Sequence, residues 1–241
     1  MTMRVSELWR FPVKSLRGEQ LDTATLIEDG VAGDRLVHVQ SDYGVVTARS
    51  RSALLGLSAT TAPDGQVLVN GLPWQDPRVA DLVRAAVRAD VALVPYQGPE
   101  RFDVLNLLVA TDGSIEAFGY DSRRLRPNIV ISGVVGLAER GWPGMALRVG
   151  DAVIGVYSVR SRCVITTIDP DTGERDLDVL RKIQREFDLK LALNCWVAAP
   201  GDIRVGDEVE LVELELPKPE PKGWIIGAPY TLTRTRGDVY R

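Results

Sequence analysis

The stretch DAVIGVYSVRSRCVITTIDPDTGE, residues 151–174, decides how we interpret the fold. It opens with a long run rich in valine and isoleucine, which favour β-strands, and Asp-Pro-Asp-Thr-Gly then ends the run in a turn. The run also carries Cys163, one of two cysteines in the chain, with Arg162 beside it. Because strand pairing needs neither a thiol nor a guanidinium group, the stretch predicts a β-rich fold with a chemical site at the end of this strand.

Short strands separated by turn signals run through most of the chain. Two stretches have a helical period instead: residues 76–90, with Asp76 as N-cap and Pro77 at the first helical position, and residues 174–188. The apolar positions of the second helix are Leu177, Leu180, Ile183 and Phe187. We therefore predict a mainly β fold with a few helices (α+β), built from curled antiparallel sheets or a β-barrel.

The overall composition argues against several classes of protein. The chain has 241 residues, 45% of them hydrophobic, and a formal net charge of −4, so no global positive field favours nucleic acid. No apolar run approaches the roughly 20 residues that a membrane helix needs, and the N-terminus lacks the apolar segment of a signal peptide. We therefore predict a cytoplasmic protein without nucleic-acid or membrane partners.

Cysteine and histidine are scarce. Cys163 and Cys195 provide neither a disulfide framework nor the four thiolates of a usual iron–sulfur cluster, and the single histidine, His38, excludes a multi-histidine metal site. Cys195 lies in the apolar run LALNCWV and His38 in LVHVQ, so we expect both to be structural. Cys163 has two interpretations: a small buried hydrophobe, or a thiolate that Arg162 stabilises and that binds a soft metal or acts as a nucleophile.

Cations stand beside turns or strand ends in three clusters. Their members are Lys14 with Ser15; Asp34, Arg35, Thr47 and Arg49; and Arg126 and Asn128 followed by Arg160 and Arg162. Guanidinium groups and hydroxyls suit phosphate oxygens. A locally basic cleft in an acidic protein therefore predicts a small phosphorylated ligand rather than a polymer. Each cluster alone is also typical of solvated surface arginine, and Arg-Pro-Asn is typical of a turn.

Taken together, these motifs resemble the MOSC family, named for the C-terminal domain of molybdenum cofactor sulfurases, with its N-terminal β-barrel partner. The motifs, in the order of the family, are LWRFPVKSLRGEQL, GDR, TAR, RPNIVISG, RCVITTIDPDTGE and PGDIRVGDEVEL. The resemblance implies a curled, mostly antiparallel β architecture with molybdopterin and its molybdenum in a cleft between two parts. We expect the N-terminal β-barrel-like domain in residues 1–100, the MOSC domain in 101–214, and a Pro/Lys linker with a peripheral tail in 215–241.

The resemblance also implies a role for individual residues. The positions that it implies to bind the cofactor are Lys14, Ser15, Arg35, Arg49, Arg126, Asn128, Arg162, Thr166 and Asp169. Cys163 matches the cysteine of the Arg-Cys motif, and we expect it to be the molybdenum ligand and the catalytic residue. Since four separate motifs are involved, we predict that Lys14, Arg35, Arg49 and Arg126 line one cleft.

One departure from the family affects the expected activity. In amidoxime-reducing members, the cysteine that binds molybdenum lies beyond the helix after this motif, whereas here residues 180–193 read LRKIQREFDLKLAL and contain no cysteine. Three alternatives follow: Cys163 is the ligand, the metal keeps only pterin and oxo ligands, or the protein carries the cofactor without reducing anything.

The resemblance implies a reductase of N-hydroxylated or N-oxide compounds that acts on a small-molecule substrate. The chain lacks the iron–sulfur domain that some relatives append, so we expect electrons from a separate flavoprotein or ferredoxin. It also lacks the pyridoxal phosphate domain of full-length sulfurases, which makes a desulfurase step within this chain unexpected. The alternative is a non-catalytic carrier of molybdenum cofactor or a sulfur-transfer module.

Overall fold

The computed structural model describes residues 2–96 and 101–217 of a mainly β protein. Its strands are β1 Met3–Arg10, β2 Glu19–Leu21, β3 Thr23–Ile27, β4 Gly30–Val31, β5 Val37–Ser41, β6 Gly44–Val46, β7 Ala59–Thr61, β8 Val67–Val69, β9 Leu72–Pro73, β10 Ala92–Pro95, β11 Leu107–Thr111, β12 Ile129–Ser132, β13 Ala146–Val149, β14 Ala152–Ser161, β15 Lys190–Ala199, β16 Gly201–Arg204 and β17 Glu208–Val212. The helices are α1 Pro77–Val87, α2 Asp112–Phe118 and α3 Leu177–Phe187, and single 3₁₀ turns span Ser52–Gly56, Ser122–Leu125, Ala138–Gly141 and Val164–Thr167. The predicted fold class is confirmed.

Seven of these strands close into a barrel. The order is β12-β11-β15-β14-β13-β17-β1, and β1 pairs again with β12, while β2 attaches to β1 outside the ring. The β11–β12 pair is parallel, and the other pairs in the ring are antiparallel. Closure removes the unpaired edges of an open sheet. The two ten-residue strands β14 and β15 form the longest pairing, as the valine- and isoleucine-rich run of residues 151–161 leads one to expect.

The first strand of the chain belongs to a barrel whose other strands all come from residue 107 onward. In β1, Leu8 faces Ile129 of β12, and Met3 faces Val209 of β17. Strand β16 also crosses over to pair with β3 in a separate three-stranded sheet. The two halves of the sequence are therefore interleaved in space, and a domain boundary at residue 100 stays a prediction.

Two large apolar clusters and a smaller one hold the described residues together. The barrel interior includes Val5, Leu8, Leu147 and Cys195, each 1% exposed or less. The second cluster packs α1 against the small sheets of the first half through Val79, Val83 and Val87. The third joins α2 and α3 through Phe118, Val179, Ile183 and Phe187.

Helix α1 begins where the sequence predicts, whereas the buried face of helix α3 differs from the predicted one. Helix α1 begins at Pro77, and the Asp76 side chain accepts a hydrogen bond from the Arg78 amide at 2.9 Å, which confirms the predicted cap. Helix α3 buries Val179, whereas the expected apolar position Leu177 is 50% exposed. A stripe spaced by four residues, 179–183–187, faces the core, and Leu177 lies off that stripe.

Helix α2 has no counterpart among the predicted elements. It is seven residues long and begins with a capping box, in which the Thr111 hydroxyl accepts from the Ser114 amide at 3.1 Å. Such a short segment lacks two full turns of apolar period, so periodicity does not reveal it. No helix in residues 2–96 or 101–217 combines the length and apolar character that crossing a bilayer requires.

Candidate functional site

A basic cleft lies where the loops of the first half meet the rim of the barrel, and it encloses about 790 Å³ including the part open to solvent. Lys14 comes from the β1–β2 connection, Arg35 from the loop before β5, Arg49 from the loop after β6, and Arg126 from the loop before β12. These four side chains are far apart in sequence and line the same cleft. The prediction that they converge is confirmed.

The structure brings most of the other predicted residues to this cleft. Ser15, Asn128, Arg162 and Cys163 also line it. Thr166 and Asp169 are not among the lining residues and instead shape the turn that follows Cys163, as their hydrogen bonds show.

Thr166 and Asp169 have protein partners of their own. The Thr166 hydroxyl is buried and donates to the Cys163 carbonyl oxygen at 3.0 Å. The Asp169 carboxylate accepts from the Thr172 amide at 2.9 Å and pairs with Arg124 at 2.8 Å. Backbone hydrogen bonds lower the pKa of Asp169, which is the behaviour of a carboxylate that closes a turn.

Three lining residues have a left-handed backbone: Ser15 with φ 74°, Arg35 with φ 53° and Arg126 with φ 56°. This conformation costs an L-residue roughly 1–2 kcal/mol, and such residues concentrate at functional sites. Backbone hydrogen bonds hold two of them, from the Arg35 amide to the Phe11 carbonyl at 2.8 Å and from the Arg126 amide to the Arg123 carbonyl at 3.1 Å. The fold therefore fixes these side chains in the cleft against their local backbone preference.

Asp34 organises the floor of the cleft. Its buried carboxylate accepts from the Phe11 amide at 2.7 Å and from the Asn128 side-chain amide at 3.3 Å, and it pairs with Arg35. The Asn128 side-chain oxygen in turn accepts from the Leu108 amide at 3.2 Å. The Gly-Asp-Arg and Arg-Pro-Asn motifs thus meet in space, and Asn128 holds the strands in place as well as lining the cleft.

Asp103, which the sequence analysis did not identify, is the one carboxylate among the described residues that line the cleft. It lies 3.1 Å from the Lys14 ammonium and 3.7 Å from Arg160, and it also pairs with Arg49. Burial alone would raise the pKa of Asp103, but these cations outweigh burial and hold the pKa well below its usual range. Asp103 stands in the loop RFDVLN without a recognisable motif, so only tertiary structure brings it to the site.

The cleft carries more positive than negative charge. Its described cations are Lys14, Arg35, Arg49, Arg101, Arg126, Arg160 and Arg162. Two carboxylates outside the lining neutralise part of this charge, since Asp34 pairs with Arg35 and Asp29 with Arg101. With Asp103, three carboxylates therefore face seven cations.

Arg162 is buried and Arg126 is half-buried, and the nearest hydrogen-bond partner of each guanidinium group is neutral. Arg126 donates to the Leu16 carbonyl at 2.8 Å and Arg162 to the Leu125 carbonyl at 2.7 Å. The buried Nε of Arg162 has no hydrogen-bond partner in the described part of the chain. Burial lowers the pKa of each guanidinium group to about 9. Both remain charged at neutral pH, and an anion in the cleft would offset the unfavourable burial.

The two cysteines have different surroundings. Cys163 lines the cleft, is partly exposed, and directly precedes the 3₁₀ turn Val164–Thr167 without a side-chain hydrogen bond to it. Cys195 is fully buried in the barrel interior, where burial raises the pKa of its thiol, and the prediction of a core role is confirmed. The buried His38 ring stacks on Tyr96 with centroids 3.9 Å apart, away from the lining of the cleft.

A bare metal ion has few ligands to bind here. Residues 2–96 and 101–217 contain no group of three histidine, cysteine, aspartate or glutamate side chains placed to hold one. Cys163 is the one thiol in the described lining. A metal in this cleft would therefore take most of its ligands from a bound organic cofactor.

Comparison with known proteins finds two family models that together cover most of the chain. The family model of the MOSC N-terminal beta barrel domain matches residues 2–114, and that of the MOSC domain matches residues 108–210. The chain is 30% identical to human mitochondrial amidoxime reducing component 2, over 85% of this chain and 82% of that protein. It is 26% identical to mouse mitochondrial amidoxime-reducing component 1, over 86% and 82%. It is also 33% identical to molybdenum cofactor sulfurase 2 of Culex quinquefasciatus, over 35% of this chain and 11% of that protein.

Proposed function

Because the chain belongs to the MOSC-domain family, we propose that the basic cleft binds molybdopterin with its molybdenum, and that the protein reduces N-hydroxylated or N-oxide compounds. One observation carries the proposal: cations from separate family motifs and the thiol of Cys163 line one cleft. The relatives named above include amidoxime-reducing components and a molybdenum cofactor sulfurase, and this similarity supports the proposal.

The charges of the cleft suit the phosphate of such a cofactor. Arg162 is buried and Arg126 is half-buried, the nearest partner of each is a carbonyl oxygen, and Arg162 has an unused donor at Nε. A phosphate group offers several acceptor oxygens and two negative charges, and it satisfies guanidinium donors better than a carbonyl does. Ser15, held beside Lys14 by its left-handed backbone, would add a hydroxyl donor. These four residues would hold the phosphate end.

Cys163 would face the metal end. It is a soft ligand of the kind that molybdenum accepts, and it is the thiol that the described lining offers. When bound, the cofactor supplies two-electron redox chemistry at its metal. The protein's own residues bind and orient it: Asp34 and Asn128 fix the strands on which the basic loops stand. Reduction of an N–OH group to N–H consumes two electrons and two protons and releases water, and the electrons would come from a flavoprotein or a ferredoxin.

The test is to purify the protein from a host that makes molybdenum cofactor and to measure bound molybdenum and reductase rate. Dithionite-reduced methyl viologen replaces the natural donor, and an amidoxime serves as substrate. We expect about one molybdenum per chain and turnover of the amidoxime. Arg162→Gln should lose most of the metal, while the matched variant Arg51→Gln, at an exposed position outside the lining, should keep it. Protein without molybdenum from such a host would contradict the proposal.

A second function is favoured by one observation. Helix α3 and the start of β15 bury Val179, Ile183, Phe187 and Leu191 in the core. Asn194 is the one residue of β15 that lines the cleft. The segment in which reducing relatives are expected to carry their ligand cysteine therefore offers no metal ligand here. A carrier of molybdenum cofactor would need no such ligand. Stoichiometric molybdenum without amidoxime reduction would identify this second function.

A further inference from the structure

A second cavity, the apolar pocket, adjoins the basic cleft and encloses about 470 Å³ including its solvent-open part. Its walls include Trp9, Phe11, Leu55, Ile165 and Ile168. Aromatic rings and branched aliphatic side chains suit a flat apolar ligand better than a sugar or an inorganic ion. The proposed cofactor function leaves this pocket unassigned.

Four arginines also line the apolar pocket, and two of them are neutralised. Arg123 pairs with Asp121 and Asp171, both at 2.6 Å, and Arg124 pairs with Asp169 at 2.8 Å. These two guanidinium groups therefore have their counter-charges within the protein.

The other two arginines, Arg17 and Arg126, form no direct ion pair with a carboxylate of the described residues, although Asp171 acts on Arg17 and Asp34 and Asp103 act on Arg126 at longer range. Arg17 donates to the Gly56 carbonyl at 3.4 Å, and its buried Nε has no hydrogen-bond partner. Arg126 donates to the Leu16 carbonyl at 2.8 Å, and its guanidinium group lies over the Phe11 ring at 4.2 Å. Two guanidinium groups with spare donors beside apolar walls indicate an organic anion.

The pocket and the cleft share part of their walls. Arg126 and Ile165 line both, and Ile165 follows Cys163 by two residues in the same 3₁₀ turn. A ligand in the pocket would thus lie next to the thiol end of the cleft. Arg126 would contact an anion on either side.

We propose that the apolar pocket binds a planar aromatic carboxylate. The ring would pack among Trp9, Phe11 and Ile168, and the carboxylate would accept hydrogen bonds from Arg17 and Arg126. Carboxylate and guanidinium groups match in a planar geometry with two hydrogen bonds. A sugar phosphate would also pair with the arginines, but its sugar would not pack against the apolar walls. The proposal stands on the pocket alone and does not require molybdenum cofactor.

The experiment uses 2-naphthoate as the aromatic carboxylate and inorganic pyrophosphate as the probe of the cleft, with calorimetric titration of the full chain. Arg17→Gln should bind naphthoate about tenfold more weakly, because a charge-assisted hydrogen bond is lost, and should bind pyrophosphate like the parent. Arg49→Gln, which changes the cleft only, should bind pyrophosphate more weakly and naphthoate like the parent. Arg126→Gln should bind both ligands more weakly. The matched control Arg51→Gln should change neither. The uncharged 2-naphthamide should bind at least about tenfold more weakly than naphthoate.

Three results would overturn the proposal. The parent protein could fail to bind naphthoate, Arg17→Gln could bind it as tightly as Arg51→Gln, or Arg49→Gln could weaken it as much as Arg17→Gln. The last result would place naphthoate in the basic cleft. Since Arg17 and Arg49 carry the comparison, the test remains decisive even if Arg126→Gln does not fold, and melting temperatures identify such a variant.

Discussion

The two cysteines have different roles because one lies at the rim of the cleft and the other inside the barrel. Cys163 stands at the end of β14, where the strand gives way to a 3₁₀ turn at the rim of the basic cleft. Cys195 lies on the neighbouring strand β15 and pairs across the sheet with Leu107 and Val156 inside the barrel. A thiol at a rim can meet a ligand, whereas a thiol inside the barrel contributes packing.

Serine substitution should separate these roles. We expect Cys163→Ser to abolish molybdenum-dependent reduction with little change in melting temperature, because the side chains are nearly isosteric. Cys195→Ser should instead destabilise the fold by roughly 1–3 kcal/mol, because its buried hydroxyl must find a hydrogen-bond partner. Metal content, reductase rate and melting temperature of both variants check this. Full activity of Cys163→Ser would return Cys163 to a packing role.

Asp103 makes the stability of the cleft depend on pH. Its pKa in the folded protein is depressed, because Lys14, Arg49 and Arg160 outweigh the effect of burial. Asp103 therefore contributes stability that is fully present above its unfolded pKa of about 3.9 and is lost as the pH falls through its lower folded pKa. We expect Asp103→Asn to melt below the parent at pH 7 and the difference to shrink below about pH 4. A difference that stays constant from pH 7 to pH 3 would show that the carboxylate charge is not responsible.

At the scale of elements, the loops around the cleft are held in conformations that their residues disfavour. Ser15, Arg35 and Arg126 all lie in the left-handed region, although glycine is the residue that adopts it without strain. Strain of this kind persists where surrounding contacts over-determine the backbone. Here the buried carboxylate of Asp34 and the pairing of the barrel strands supply those contacts.

Substitutions at Ser15 test this strain. Ser15→Gly and Ser15→Ala both remove the hydroxyl and should both lower molybdenum content. The glycine variant should be more stable than the alanine variant by about 1 kcal/mol, since φ 74° is open to glycine and costly for alanine. For a chain of this length that is a difference of roughly 2–4 °C in melting temperature. Equal melting temperatures would indicate that the loop relaxes.

Sequence patterns predicted the elements that have strong local signals, but not the features that depend on tertiary contacts. Asp76 and Pro77 mark the start of α1 because a cap and an N-terminal proline are local chemistry. Helix α2 is too short to show a period, and the buried face of α3 passes through Val179 rather than Leu177. Family motifs located most of the cleft, but Asp103 joins it from a loop whose neighbours in sequence give no sign of the distant cations.

The whole molecule depends on pairing between the two ends of the chain. Strand β1 lies between β12 and β17, and its pairing with both strands closes the ring. Without β1, both neighbours would present an unpaired edge and the barrel interior would lose Val5 and Leu8. The two sequence halves are therefore parts of one folding unit.

Dividing the chain near residue 100 tests that dependence. Residues 101–241 expressed alone should be insoluble, because β12 and β17 would lack their common partner. Co-expression with residues 1–100 should rescue a soluble complex that binds pyrophosphate like the intact chain. Solubility, gel filtration and calorimetry provide the measurements. A soluble, cooperatively folded 101–241 fragment would show that the barrel closes without β1.

The position of β1 also sets an order of events on the ribosome. Its residues leave the exit tunnel before those of its partner β17, which ends at Val212, about 200 residues later, or roughly 10–40 s of synthesis at typical translation rates. During that interval β1 can pair with β2 and later with β12, but its edge toward β17 stays unpaired. Ring closure therefore waits until β17 has been synthesised, so a nascent-chain chaperone would have a defined unpaired strand edge to protect.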